Sequence, residues 1–266
     1  MKLVKIPFSG GGLGHGNGAD EAPNAVVEQL ANVYSNESEN EVKFEISQVN
    51  VDENNIEFSQ NEIQKSVKEI AQNNEKAILL GGDHSITYPA VKAFAKNNED
   101  FMLIVFDAHP DMVNYFKPPT QEDYLKVLIE DGIVKPENVI LVGVRNQDKS
   151  EIDYIKEKGV TCFTCKEMFE KGFKETVNEI LKIIENKNLP IYLSIDIDCV
   201  DPVEAIGTGY TEHGGLSSRE LIYALQKIKG TGIVKIADLV EINPNKDVNS
   251  ITVALGAKVL AELFEF

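Results

Sequence analysis

Residues 101–111 read Phe101-Met102-Leu103-Ile104-Val105-Phe106-Asp107-Ala108-His109-Pro110-Asp111. Six apolar side chains run without a break and then give way to two aspartates and a histidine. A short, uninterrupted apolar run reads as a strand buried on both faces. Similar runs occur at Lys2–Phe8, Ala77–Leu80, Val139–Val144, Ile191–Ile197 and Ile236–Ile242. Amphipathic segments lie between them. Ile63, Val67 and Ile70 form one stripe at helical spacing, and Val177, Ile180, Leu181 and Ile184 another. Ser59 with Glu62, and Ser217 with Glu220, have the spacing of capping boxes, and Val253–Phe264 reads as a closing helix. Strands alternating with helices predict an α/β fold of three αβα layers with a mostly parallel central sheet. The number of convincing strand–helix pairs falls short of an eight-unit barrel. No linker, repeat or shift of composition divides the chain, so residues 1–266 are expected to form a single catalytic domain.

Four of these strand ends carry side chains suited to chemistry. Ala77–Leu80 leads into Gly81-Gly82-Asp83-His84-Ser85, the opening run into Asp107-Ala108-His109-Pro110-Asp111, and Ile191–Ser194 into Asp196-Ile197-Asp198-Cys199-Val200-Asp201-Pro202. The last leads into Glu241-Ile242-Asn243-Pro244. In extended chain, residues two apart share a face, which pairs Asp107 with His109 and Asp196 with Asp198. Asp111 follows Pro110, where the ladder breaks, and is free to curl back. Sites in parallel sheets form beyond the carboxyl ends of the strands. The first three motifs therefore bring four aspartates and two histidines to one crevice. Four carboxylates do not stay ionised together without positive charge, and none of these motifs contains a lysine or arginine. One or two divalent cations are the natural compensation, with Mn²⁺ favoured by the carboxylate-dominated donor set and zinc and Fe²⁺ as alternatives.

The chain has 266 residues, with 26 lysines and arginines against 43 aspartates and glutamates, for a net charge of −17. That balance argues against nucleic acid or an anionic membrane surface as partner and favours a cationic small molecule. No apolar run is long enough to span a bilayer or to serve as a signal peptide, and the three cysteines suit a reducing compartment, so the expected location is the cytoplasm. Cys162 and Cys165 form one C-x-x-C. A redox role needs a strand-to-helix turn there and a zinc role two further ligands, and the sequence indicates neither. The glycine-rich stretch Ser9–Gly18 lacks the G-x-G-x-x-G spacing of a dinucleotide loop and suits close backbone approach at a site rim.

Taken together in order, the His84, Asp107–Asp111 and Ser194–Pro202 motifs resemble the three signatures of the ureohydrolases, the family of arginase, agmatinase, formiminoglutamase and guanidinobutyrase. Glu241 in Val-Glu-Ile-Asn-Pro resembles the family's late glutamate, and Gly18–Pro23, Gly207–Gly209 and Gly214–Leu216 resemble further family segments. The resemblance implies an arginase-like fold with two Mn²⁺ ions per subunit. His84, Asp107, Asp111 and Asp196 would hold one ion, and Asp107, His109, Asp196 and Asp198 the other, with Asp107 and Asp196 bridging. It implies hydrolysis of a guanidino or formimino carbon with water activated by the metal pair. Asp111 would help move the proton to the leaving amine, and Glu241 would pair with the guanidinium nitrogens. It also implies a homo-oligomer, commonly a trimer or hexamer.

The sequence departs from the family pattern in two places. The family's His-Gly pair, whose histidine shuttles protons, is replaced by Pro118-Pro119-Thr120-Gln121-Glu122-Asp123-Tyr124. His213 and His15 are the remaining histidines that could serve as shuttle or substrate contact. The asparagine with which arginases hold the substrate's amino-acid head is Val113 here, with Asn114 one step on. Arg145, in Val-Gly-Val-Arg-Asn, resembles the Gly-x-Arg of non-arginase members and is expected either to make a structural ion pair or to hold a substrate carboxylate. These features favour an agmatinase-like hydrolase releasing urea. An arginase, a guanidino-acid hydrolase or a formiminoglutamase is the alternative within the family. A one-zinc deacetylase of related fold and a non-catalytic metal-binding member are the competing readings.

Overall fold

The apolar run at 102–106 divides its side chains between two separate cores. Met102, Ile104 and Phe106 enter one, and Leu103 and Val105 the other. Leu3 and Val4, and Ile78 and Leu79, divide in the same way. Each strand is covered on both faces, which is why its sequence is apolar throughout rather than alternating. The computed structural model describes residues 1–266.

The strands are β1 (Lys2–Ile6), β2 (Glu45–Gln48), β3 (Ala77–Gly81), β4 (Met102–Phe106), β5 (Val139–Val144), β6 (Thr161–Thr164), β7 (Ile191–Asp196) and β8 (Val234–Val240). They form one open sheet in the order β2-β1-β3-β8-β7-β4-β5-β6, and every pairing is parallel. One face is covered by α1 (Ala22–Leu30), α6 (Cys165–Lys171), α7 (Phe173–Lys187), α8 (Ser218–Lys229) and α9 (Ile251–Leu263). The other is covered by α2 (Ile56–Gln72), α3 (Thr87–Ala95), α4 (Tyr124–Glu130) and α5 (Lys149–Lys158). This is the expected three-layer αβα architecture. No helix is long and apolar enough to cross a membrane.

The two strands without a counterpart in the sequence reading are the two sheet edges. All four residues of β2 are exposed, and those of β6 are half-buried. An edge strand covered on few sides needs no apolar run, so the pattern that exposes central strands is missing there. Ser217 and Glu220 form the expected reciprocal box at the start of α8. Ser59 does not cap α2: the helix starts earlier, behind Asn55, whose side chain accepts the Phe58 N–H at 3.1 Å. Ser59 instead lies buried within the first turns and bonds the backbone of Asp52. The C-x-x-C does sit at a strand-to-helix junction, since β6 ends at Thr164 and α6 begins at Cys165. Burial raises the thiol pKa at both cysteines, at Cys162 to about 12, which is opposite to what a reactive pair needs.

Strand order fixes where the chemistry falls. β3, β8, β7 and β4 are consecutive neighbours at the centre of the sheet. Adjacent strands lie about 4.8 Å apart, so the four motif-bearing ends open side by side.

Candidate metal centre

Each motif reaches the crevice through its own local device. Beyond β3 the chain passes through Gly82, where a Cβ would lie 2.0 Å from the carbonyl oxygen of Phe8, so only glycine lets the turn close onto the end of β1. His84 follows at the entry to α3. Beyond β4, the Asp107 Oδ1 accepts the N–H of His109 at 2.6 Å. Beyond β7, the Asp196 Oδ1 accepts the N–H of Asp198 at 2.8 Å. Asp107 with His109, and Asp196 with Asp198, therefore share a face because each first aspartate folds a tight turn, not because the chain stays extended. The Asp198 Oδ1 accepts the Ala108 N–H at 3.0 Å and ties the two turns together. Asp111 and Glu241 adopt left-handed backbone, at φ 55° and 63°.

The side chains so placed converge. His84 Nδ1 lies 3.1 Å from Asp107 Oδ2, 3.2 Å from Asp111 Oδ2 and 3.3 Å from Asp196 Oδ2. His109 Nδ1 lies 3.0 Å from Asp198 Oδ2 and 3.5 Å from Asp107 Oδ1. Asp107 thus turns one oxygen to each histidine. All of these groups but His109 are buried. Burial, and then the charge of Asp107, push the Asp111 carboxyl up to about 8. Burial, followed by the charges of Asp198 and Asp107, holds Asp196 well above the usual carboxylate range.

The tautomer of His84 follows from its other nitrogen. Nε2 lies 2.8 Å from Ser194 Oγ and 3.0 Å from the Tyr124 hydroxyl. The Ser194 hydroxyl donates to Asp238 Oδ1 at 2.6 Å, and the other oxygen of Asp238 accepts from Tyr192 and Thr87. With its proton committed to Asp238, Ser194 can only accept from Nε2–H, which leaves the Nδ1 lone pair facing three carboxylates. His84 Nδ1 and Asp107 Oδ2 are both buried without a hydrogen-bond partner. Lone pairs aimed at one another in a buried space are costly unless a cation lies between them. Two groups satisfy the reach of a metal ion, His84 with Asp107 and Asp196, and Asp107 with His109 and Asp198. The donor set and its orphaned atoms fit a divalent metal.

A cleft of 240 Å³ opens over this centre. Seven carboxylates line it, from Asp111 round to Glu241, and no lysine or arginine does. Glu241 is buried, and its Oε1 accepts the His84 N–H at 2.7 Å. Val113 lines the cleft, whereas His213, expected as a shuttle or substrate contact, does not: it is exposed on the loop before α8. His15 is exposed at the cleft mouth, stacked on Tyr210. Arg145 makes neither an ion pair nor a contact in the cleft. Its guanidinium donates to backbone carbonyls, among them Asp198 at 2.6 Å and Glu212 at 2.7 Å, and so staples the turn that carries Asp198.

The sequence reading missed the groups behind the donors, Tyr124, Ser194 and Asp238. Two of them carry a legible signal. A lone serine and a lone aspartate stand inside otherwise buried strands, and buried polar side chains need partners.

The chain matches the model of the Arginase family over residues 1–265. It is 32% identical over 216 residues to the arginase of Staphylococcus aureus (strain COL), covering 76% of this chain and 72% of that protein. It is 30% identical over 210 residues to the agmatinase of Bacillus anthracis, covering 79% of this chain and 70% of that one. In structure it is similar to the formimidoylglutamase of Bacillus subtilis subsp. subtilis str. 168, with a TM-score of 0.92, 27% identity, and coverage of 99% of this chain and 85% of that one.

Proposed function

The chain belongs to the arginase family of ureohydrolases, and from that premise we propose that it hydrolyses the guanidino carbon–nitrogen bond of a cationic, agmatine-like molecule with two manganese ions per subunit, releasing urea. The observation that carries this reading is the orphaned pair, His84 Nδ1 and Asp107 Oδ2, set among carboxylates in a cleft without a lysine or arginine. His84, Asp107, Asp111 and Asp196 would hold one ion, and Asp107, His109, Asp196 and Asp198 the other. When bound, the ions supply Lewis acidity and make water nucleophilic at neutral pH.

The protein's own groups do the rest. Glu241 keeps one oxygen on the His84 N–H and offers the other to the guanidinium, whose planar fork suits a carboxylate. This orients the guanidino carbon over the donor cluster. The Asp111 carboxylate accepts a proton from the attacking water and hands it to the departing amine, which leaves as a neutral species. That route needs no histidine in the 118–124 stretch.

The acidic lining favours agmatine over its competitors. Arginine and guanidino acids bring one carboxylate and formiminoglutamate two, and each would face like charge without a basic partner. A urea-release assay with added Mn²⁺ on agmatine, arginine, guanidinobutyrate and guanidinopropionate tests the reading, with formamide measured separately for formiminoglutamate. Agmatine is expected to give the highest kcat/KM. Urea from none of the four would overturn the proposal.

A further inference from the structure

The stretch that replaces the family's His-Gly pair supplies Glu122 to the cleft wall. Glu122 Oε1 accepts a hydrogen bond from the Tyr210 hydroxyl at 2.8 Å, across 88 positions of sequence. The Tyr210 ring is held from two further sides. His15 stacks on it with centroids 4.6 Å apart and 28° between the planes, and His109 meets it edge-on at 5.5 Å. Three segments distant in sequence therefore fix one aromatic ring at the cleft mouth.

The neighbouring residue places this ring relative to the proposed guanidinium site. A Cβ on Gly209 would lie 3.3 Å from both Glu241 Oε2 and the His15 carbonyl oxygen, so the chain bearing Tyr210 runs against Glu241. Other acidic groups of the wall are engaged differently. Glu151 gives both oxygens to backbone, to the N–H of Met112 at 2.9 Å and of Asp148 at 2.8 Å. Glu122 has only Oε1 engaged, by a neutral donor, which leaves Oε2 open to a ligand.

We propose that Glu122 and Tyr210 form the specificity element of the cleft: Glu122 receives the distal ammonium of a guanidino-alkylamine, and the immobilised Tyr210 ring is the wall along which the alkyl chain lies. The inference rests on the proposed guanidino hydrolysis, which puts the head of the molecule at Glu241. A chain with positive charge at both ends then meets carboxylate at both ends, and one ending in carboxylate is repelled. Tyr210 adds apolar surface and a π-face at little entropic cost, because its position is already fixed.

The test compares agmatine with guanidinobutyrate, which share a head and differ in the sign of the distal charge. Binding of each to the manganese-loaded protein is measured by calorimetry, so the readout does not depend on turnover. Glu122→Gln is expected to weaken agmatine about tenfold, as for loss of one charge-assisted contact, without weakening guanidinobutyrate. Tyr210→Phe keeps the ring and frees Glu122, and is expected to weaken agmatine about threefold. Should Glu122→Gln fail to fold, as judged by its melting curve, Tyr210→Phe carries the same comparison. Agmatine affinity unchanged in the variants, an equal loss for both ligands, or a wild-type protein that does not bind agmatine overturns the inference. A wild-type protein that binds agmatine and releases no urea counts against hydrolysis alone.

Discussion

The Ser194 hydroxyl lies 2.8 Å from Nε2 of His84 and determines which nitrogen of that ring is free. Asp238 in turn determines what Ser194 can do. Neither residue reaches the cleft, yet together they aim the Nδ1 lone pair at the carboxylates. Ser194→Ala and Asp238→Asn should each weaken manganese binding by about 10–100-fold, the usual effect of losing a partner behind a metal-binding histidine. Titration of the apo-protein with Mn²⁺ measures it. Wild-type affinity in both variants would remove this relay from the account.

Asp107 offers one oxygen to each histidine, and Asp196 stands at the centre of the same cluster. Asp107→Asn and Asp196→Asn should therefore lose bound manganese and urea release together. Metal content by elemental analysis, read beside activity, checks the coupling. A variant that keeps two ions per chain and full activity would contradict the bridging role.

Two carboxyls of the cluster have raised pKa values, Asp111 at about 8 and Asp196 well above the usual carboxylate range. In the unfolded chain an aspartate ionises near 3.9. Stability from such a group is present below the unfolded pKa and is lost as pH rises towards the folded one. The chelated protein should therefore melt at a lower temperature at pH 8 than at pH 5. Mn²⁺ binds the deprotonated form, so its affinity should rise with pH by about tenfold per unit for each proton released. Added Mn²⁺ should then restore the melting temperature most at the alkaline end. A flat pH profile for metal binding would refute the electrostatic account.

Arg145 stabilises by hydrogen bonding to carbonyls around Asp198 and Glu212. Arg145→Ala should cost about 3 kcal/mol of stability, since it strips several charge-assisted bonds at once. It should leave the preference between agmatine and guanidinobutyrate unchanged. A shift of that preference with no loss in melting temperature would instead make Arg145 a ligand contact. His213, exposed outside the cleft, makes a complementary case: His213→Asn should change urea release less than twofold.

The centre of this fold was legible because central strands bury both faces, and the run at 101–106 can do little else. The edges were not: each residue of β2 is exposed, and the strand carries no apolar pattern to read. In the site, the six converging donors stood out because each followed an apolar run, where carboxylates and imidazoles need a reason. The geometry that unites them was less accessible. The pairing of Asp107 with His109 depends on a side chain accepting a backbone N–H, which alternation of faces does not describe. Tyr210 and Glu122 were invisible for a different reason. Each is ordinary alone, and only the fold brings them together over 88 residues.

Asp111 and Glu241 both hold backbone that glycine adopts freely and that costs other residues about 1–2 kcal/mol. At these two positions the carboxylate is retained against the preference of the main chain. In a lineage released from selection on the reaction, drift to glycine would relieve the main chain at Asp111, whereas at Glu241 it would also strip the acceptor from the buried His84 N–H. The identity of the residue at position 111 in any descendant is accordingly a record of whether its chemistry is still under selection.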